Sequence, residues 1–95
     1  MSVKIIILRK VPQGTEAAIK PLVMQLRALC MQNDGYIGGE TLINADDPSE
    51  ILVISSWKDV GEWNCWLASE DRAKIQNEID TITGHSTVYQ VYYHA

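Results

Sequence analysis

The sequence predicts an α+β fold, a four-stranded antiparallel sheet with its helices packed on one face. Two observations carry that prediction. Short apolar runs, Ile5-Ile6-Ile7-Leu8, Ile51-Leu52-Val53-Ile54 and the looser Val88-Tyr89-Gln90-Val91-Tyr92, are β-branched or aromatic and too short for helices, so they read as strands. Between them stand stretches whose apolar residues recur at helical spacing. The chain has 95 residues, enough for one domain spanning 1–95. Successive strand residues point to opposite faces of a sheet, so a run apolar at every position needs cover on both. The helices supply cover for one face only. The other is expected to meet a second copy of the chain, giving a homodimer joined sheet to sheet.

Strand one is expected from about Val3 to Val11, broken by Pro12-Gln13-Gly14. Thr15 is placed to cap a helix with Glu16 in its first turn. Ile19, Leu22, Val23, Leu26, Leu29 and Cys30 make its buried stripe. Pro21 conflicts with that helix, since an interior proline costs about 3 kcal/mol. Either the helix kinks there or it starts there. Asn33-Asp34-Gly35 ends it, with Gly35 suited to the left-handed position after a helix.

Tyr36 to Ala45 reads as strand two. Its Gly38-Gly39 pair marks a bulge or bend. Asp46-Asp47-Pro48-Ser49 is a turn by composition, and Glu50 to Trp57 is strand three, so strands two and three form a hairpin. Asp59 caps the next helix with Glu62 at capping-box spacing. Ser69 caps a further piece, with Glu70 and Asp71 favoured by the helix dipole. Ile75, Ile79 and Ile82 form its stripe, Gly84 ends it, and Thr87 to Tyr93 is strand four. The order is β-α-β-β-α-β with the second helix in two pieces, the ferredoxin-like arrangement.

Composition excludes several classes of function. A 46% hydrophobic, 21% charged chain of net charge -4 is globular and offers no basic patch for nucleic acid. No apolar stretch approaches the roughly 20 residues that cross a bilayer, and no secretory leader is present, so no membrane partner and a cytoplasmic location are expected. Cys30 and Cys65 lack metal-ligand spacing and read as reduced thiols. No metal site, phosphate loop or Ser-His-Asp triad is found.

Ser56-Trp57-Lys58-Asp59 followed by Trp63-Asn64-Cys65-Trp66-Leu67-Ala68-Ser69 resembles the antibiotic biosynthesis monooxygenase family of dimeric α/β barrels. A strand ending in Trp, an Asp opening a helix and a large ring residue before Leu-x-Ser form its most recognisable stretch. Arg9 and Gly14, and Gly35 with the aromatic after it, match the pattern too, and the element order agrees along nearly the whole chain. The resemblance implies a pocket in each subunit between helices and sheet. Some members oxidise aromatic polyketides or quinols with O2, without metal or flavin. A related branch binds and cleaves haem, and others handle small signalling molecules. Fold alone does not choose among them. The haem branch pairs a helix Trp with a later His on iron and an Asn on the first strand. Trp66 matches the first, but Gln76 and Ile7 occupy the other places. Non-haem relatives carry a His at the place of Trp66 and another shortly after the Ser, where this chain has Asp71.

A cofactor-free oxygenase needs a site that binds a ring, favours its anion and excludes water. Trp63 and Trp66, on neighbouring parts of one helix face, are the candidate ring-binding residues. Glu62, one turn before Trp66, and Gln76, a hydrogen-bond donor from the next helix, are the candidate polar groups beside Trp66 at the reacting centre. His85 titrates near neutral pH and is a further candidate at the ligand. Each has a plainer role: core packing for the tryptophans, a surface cap for Glu62, a solvated side chain for Gln76, an exposed turn for His85. The reading is therefore a homodimeric barrel that oxidises a small aromatic or quinol-like molecule with O2 and no cofactor. The alternatives are a non-catalytic module for a small ligand and, third, a haem-binding relative.

Overall fold

The protein was analysed as a computed structural model describing residues 1–95. The elements are β1 (Val3–Lys10), α1 (Glu16–Cys30), β2 (Tyr36–Ile43), β3 (Glu50–Trp57), α2 (Val60–Leu67), α3 (Glu70–Thr83) and β4 (Val88–Tyr93). The strands form one antiparallel sheet in the order β2-β3-β1-β4. The expected sheet and element order hold, with α2 and α3 as the two pieces of the second helix.

Register decides which side chains meet the helices. β1 pairs Ile5 with Ser55, Ile7 with Val53 and Arg9 with Ile51 on one side, and Ile7 with Tyr89 of β4 on the other. Directly paired residues share a face, so this set lies under the helices with the buried Val3, Ile5 and Trp57. The alternate set includes Leu8, Leu42, Val88 and Tyr92, all substantially exposed. The helices therefore cover one sheet face and leave the other, largely apolar, face open. The covered face packs in two clusters, one around Val3, Ile5, Trp57, Trp63 and Trp66 and one around Val11, Ile19 and Ile79.

Several local expectations are met in detail. The Asp59 carboxylate accepts from the Glu62 backbone N–H at 2.9 Å, and the Ser69 hydroxyl from that of Arg72 at 3.3 Å. Gly84 adopts a left-handed φ of 76° at the end of α3. The strand-two glycines coincide with a register irregularity between Tyr36 and Gly38.

Others are corrected. Helix α1 runs through Pro21 rather than starting there. Leu22, Val23, Leu26 and Leu29 pack beneath it and offset the missing backbone bond. Thr15 does not cap with its side chain. Its hydroxyl donates to the Pro12 carbonyl at 2.6 Å, while the Glu16 carboxylate accepts from the Gly14 N–H at 2.9 Å. Gly35 has no positive φ. It is buried because the Glu62 side chain occupies the space a Cβ would need. Of the expected stripe, Ile79 is fully buried and Ile75 packs against the second cluster, but Ile82 is exposed, and Gln76 and Thr83 join the inward face of α3.

Candidate functional site

Between the helices and the covered sheet face lies a cavity of about 470 Å³. Its size suits a ring system, since small-molecule sites span roughly 300–1,000 Å³. Ile7, Val53 and Trp57 give the sheet side, Ile19, Val23 and Cys30 come from α1, and Trp63 and Trp66 close it from α2. The alternation of β1 and β3 and the helical spacing of α1 deliver these apolar groups to one space.

An aromatic cluster forms one wall. Trp57 is fully buried, with its indole N–H donating to the Ser55 hydroxyl at 3.3 Å. Trp66 stacks on it at a centroid distance of 6.4 Å, and Trp63 and Tyr36 meet it edge-on at 5.7 and 5.5 Å. Trp63 also contacts Tyr89 at 5.7 Å. Such pairs fix ring positions beyond what burial alone achieves.

Polar groups line the cavity beside this wall. Arg9 reaches Gln76 Oε1 with Nη2 at 3.5 Å, the long limit of a hydrogen bond, and its buried Nε has no partner. The Gln76 amide donates to Asp80 Oδ1 and to the Thr87 hydroxyl, each at 2.8 Å, and Thr87 donates to Asp80 at 2.8 Å. Arg72 donates to the Leu67 carbonyl at 3.1 Å and to the Tyr89 hydroxyl at 3.0 Å, with its guanidinium 5.6 Å from the Tyr89 ring. Burial lowers the Arg9 pKa, opposed by Tyr89 and Asp80, yet a guanidinium remains charged at neutral pH. Burial likewise raises Tyr89, against Arg72 and Arg9, so Tyr89 is a neutral phenol there. Burial pushes the Cys30 thiol up to about 11, which keeps it from being a nucleophile near neutral pH.

Of the residues singled out from sequence, Trp63, Trp66 and Gln76 come together at this cavity. Glu62 and His85 do not line it. Glu62 lies against Gly35 at the start of α2, and His85 is exposed after Gly84 with its N–H donating to the Thr83 hydroxyl. Gln76 is not solvated but only 5% exposed, and both its N–H groups are taken by Asp80 and Thr87. It therefore orients Arg9 rather than offering a free donor. No histidine lines the cavity. Sequence reading gave no site role to Arg9, Arg72, Tyr89 or Trp57. For Arg9 there was a signal: a cation alternating with Ile5, Ile7 and Val11 on an inward strand face.

The family model described as antibiotic biosynthesis monooxygenase matches residues 2–78. Against the curated proteins no sequence match is found. Among solved structures, a conserved protein from Methanosarcina mazei Go1 is similar at a TM-score of 0.89 and 15% identity, over 100% of this chain and 94% of that one. An antibiotic biosynthesis monooxygenase is similar at 0.84 and 15%, over 98% of each chain. SnoaB, a cofactor-independent oxygenase from Streptomyces nogalater, is similar at 0.84 and 14%, over 99% of this chain and 93% of its own. Likeness at these identities establishes the common fold.

Proposed function

The chain belongs to the antibiotic biosynthesis monooxygenase family, and on that footing we propose that its cavity binds a small aromatic or quinol-like molecule and oxidises it with O2, using no bound cofactor. The observation that carries this reading is the stacked Trp57–Trp66 pair walling an apolar cavity of about 470 Å³. The similarity to SnoaB, described as a cofactor-independent oxygenase, supports the reaction class. Trp66 and Trp63 bound the ring. The apolar walls leave water few partners beside the ring, and the guanidinium end favours the electron-rich anion that gives an electron to O2. Trp66 takes the central role among the expected residues, and Gln76 acts through Arg9.

A second copy of the chain covers the open sheet face in this reading. The exposed Leu8, Leu42, Val88 and Tyr92 support it, because monomers rarely leave so contiguous an apolar surface bare. Sedimentation at micromolar concentration is expected to give twice the chain mass of 10.7 kDa, and a well-folded single subunit would overturn it.

The functional test is oxygen uptake with a panel of anthrone-like and quinol substrates. Turnover by the wild type, diminished in Trp66→Ala, is expected. A second reading, a ligand-binding module without catalysis, is favoured by one observation: Glu16, the sole carboxylate at the cavity, is engaged by the Gly14 N–H. A ligand that stabilises the protein thermally yet survives unchanged in air would select that reading.

A further inference from the structure

The charged groups at the cavity are distributed against the overall composition. The chain carries net charge -4, with 8 Lys and Arg residues in all. Four of them, Arg9, Lys20, Arg27 and Arg72, line this one cavity, against the single carboxylate of Glu16. Lys20 and Arg27 are exposed to solvent, Arg27 reaching the Thr41 hydroxyl at 3.4 Å, and Arg72 is held by Leu67 and Tyr89. Arg9 is different. It forms no salt bridge, its one hydrogen bond is long, and its buried Nε has no acceptor. The nearby Asp80 carboxylate raises the Arg9 pKa by its charge but forms no salt bridge with it, and its Oδ1 accepts from Gln76 and Thr87. A partly buried cation with no carboxylate in salt-bridge contact is costly, and an apolar cavity beside it strengthens its attraction for any anion that reaches it.

We infer that the cavity takes its ligand as an oxyanion, an apolar ring carrying an ionised enol, phenol or carboxylate, with the Arg9 guanidinium as counter-ion and the ring against Trp66. Tyr89, whose hydroxyl accepts from Arg72, is polarised to donate to the same oxygen. The inference rests on the ring-binding reading proposed above and adds the charge state of the ligand. It also accounts for the missing base. A ligand that arrives ionised needs no carboxylate or histidine to remove its proton, and the work left to the protein is to hold the anion.

The test uses ligands matched in shape: 2-hydroxy-1,4-naphthoquinone, ionised at neutral pH, its neutral methyl ether, and 2-naphthoate, each titrated against tryptophan fluorescence. The hydroxyquinone is expected to bind at least about tenfold tighter than the ether, the worth of one charge-assisted hydrogen bond. Arg9→Met is expected to abolish that ratio while leaving the ether's affinity in place, and Arg9→Lys to restore part of it. Equally tight naphthoate binding would assign the site to oxyanions in general, and weak naphthoate binding would assign it to enols and phenols. Equal affinity for hydroxyquinone and ether in the wild type would overturn the inference and leave the ring-binding reading standing. So would an undiminished ratio in folded Arg9→Met. Binding of none of the three would remove the ring-binding reading itself. If Arg9→Met fails to fold, the wild-type ratio decides.

Discussion

Trp57 and Trp66 stack with ring centroids 6.4 Å apart and planes inclined by 26°, locking the end of β3 to the last turn of α2. Trp66 is also shared by two cavities, the one described above and a smaller one of about 300 Å³ lined by Leu29, Asn33 and Cys65. Truncating it removes the wall between them. Trp66→Ala is expected to lose about 3–5 kcal/mol of stability in urea melts. Its affinity for ring ligands should fall by at least about tenfold. Unchanged affinity in the folded variant would place the ligand elsewhere.

Gly35 and Glu62 form a second dependence. The Glu62 Cβ and Cγ fill the space of an added methyl at Gly35, and neither is the free end of the side chain. Gly35→Ala is therefore expected to cost about 1–3 kcal/mol, as overpacking does. Glu62→Ala should recover only part of that, because its Cβ remains. A double-mutant cycle measures the coupling, and simple additivity would contradict the contact.

How much of this was legible in the sequence follows from which forces are local. The bounds of β3, the Asp59 and Ser69 caps and the Gly84 terminus depend on residues a few positions apart, and the structure has them where the sequence puts them. Ile75 and Ile79 of the α3 stripe face the core as their spacing implies, but periodicity does not reveal that a polar side chain shares that face in place of Ile82. Here Gln76 is drawn inward by Arg9, Asp80 and Thr87. Gly35 reads as a helix terminator along the chain, whereas its real constraint is a side chain arriving from another element. The Arg9–Gln76 contact joins residues 67 positions apart, and nothing in local pattern encodes it. The tryptophans were found because large rings at helical spacing are visible whatever they pack against.

The two cysteines should separate by reactivity. Cys30 faces the cavity with its pKa raised by burial to about 11, whereas Cys65 is exposed. Near pH 8 Cys30 should react about a hundredfold more slowly than a free thiol, in proportion to its lost thiolate. Cys65 should label first, and a ring ligand should slow Cys30 further. Mass spectrometry of partly alkylated protein reads this directly; faster labelling of Cys30 would contradict its burial.

Acid should release one specific tie between the sheet and the hairpin turn. Asp47 accepts from the Ser49 hydroxyl at 2.6 Å, from its N–H at 3.1 Å, and pairs with Lys10 at 3.0 Å. These contacts, led by the Ser49 hydroxyl, hold its carboxyl at about 2, below the ordinary 3.8. A depressed folded value means that the contribution is present above the unfolded pKa and is lost as pH falls from about 3.8 toward about 2. The melting temperature of Asp47→Asn should therefore vary less with pH across that window than that of the wild type. Parallel curves would show that the carboxylate contributes nothing there.

The most direct test of the account is a crystal structure of the protein with 2-hydroxy-1,4-naphthoquinone bound. The account predicts the ring in the cavity between helices and sheet, flat against Trp66, with its ionised oxygen toward Arg9. A ring seated on the open sheet face, or in the smaller cavity beside Cys65, would contradict it.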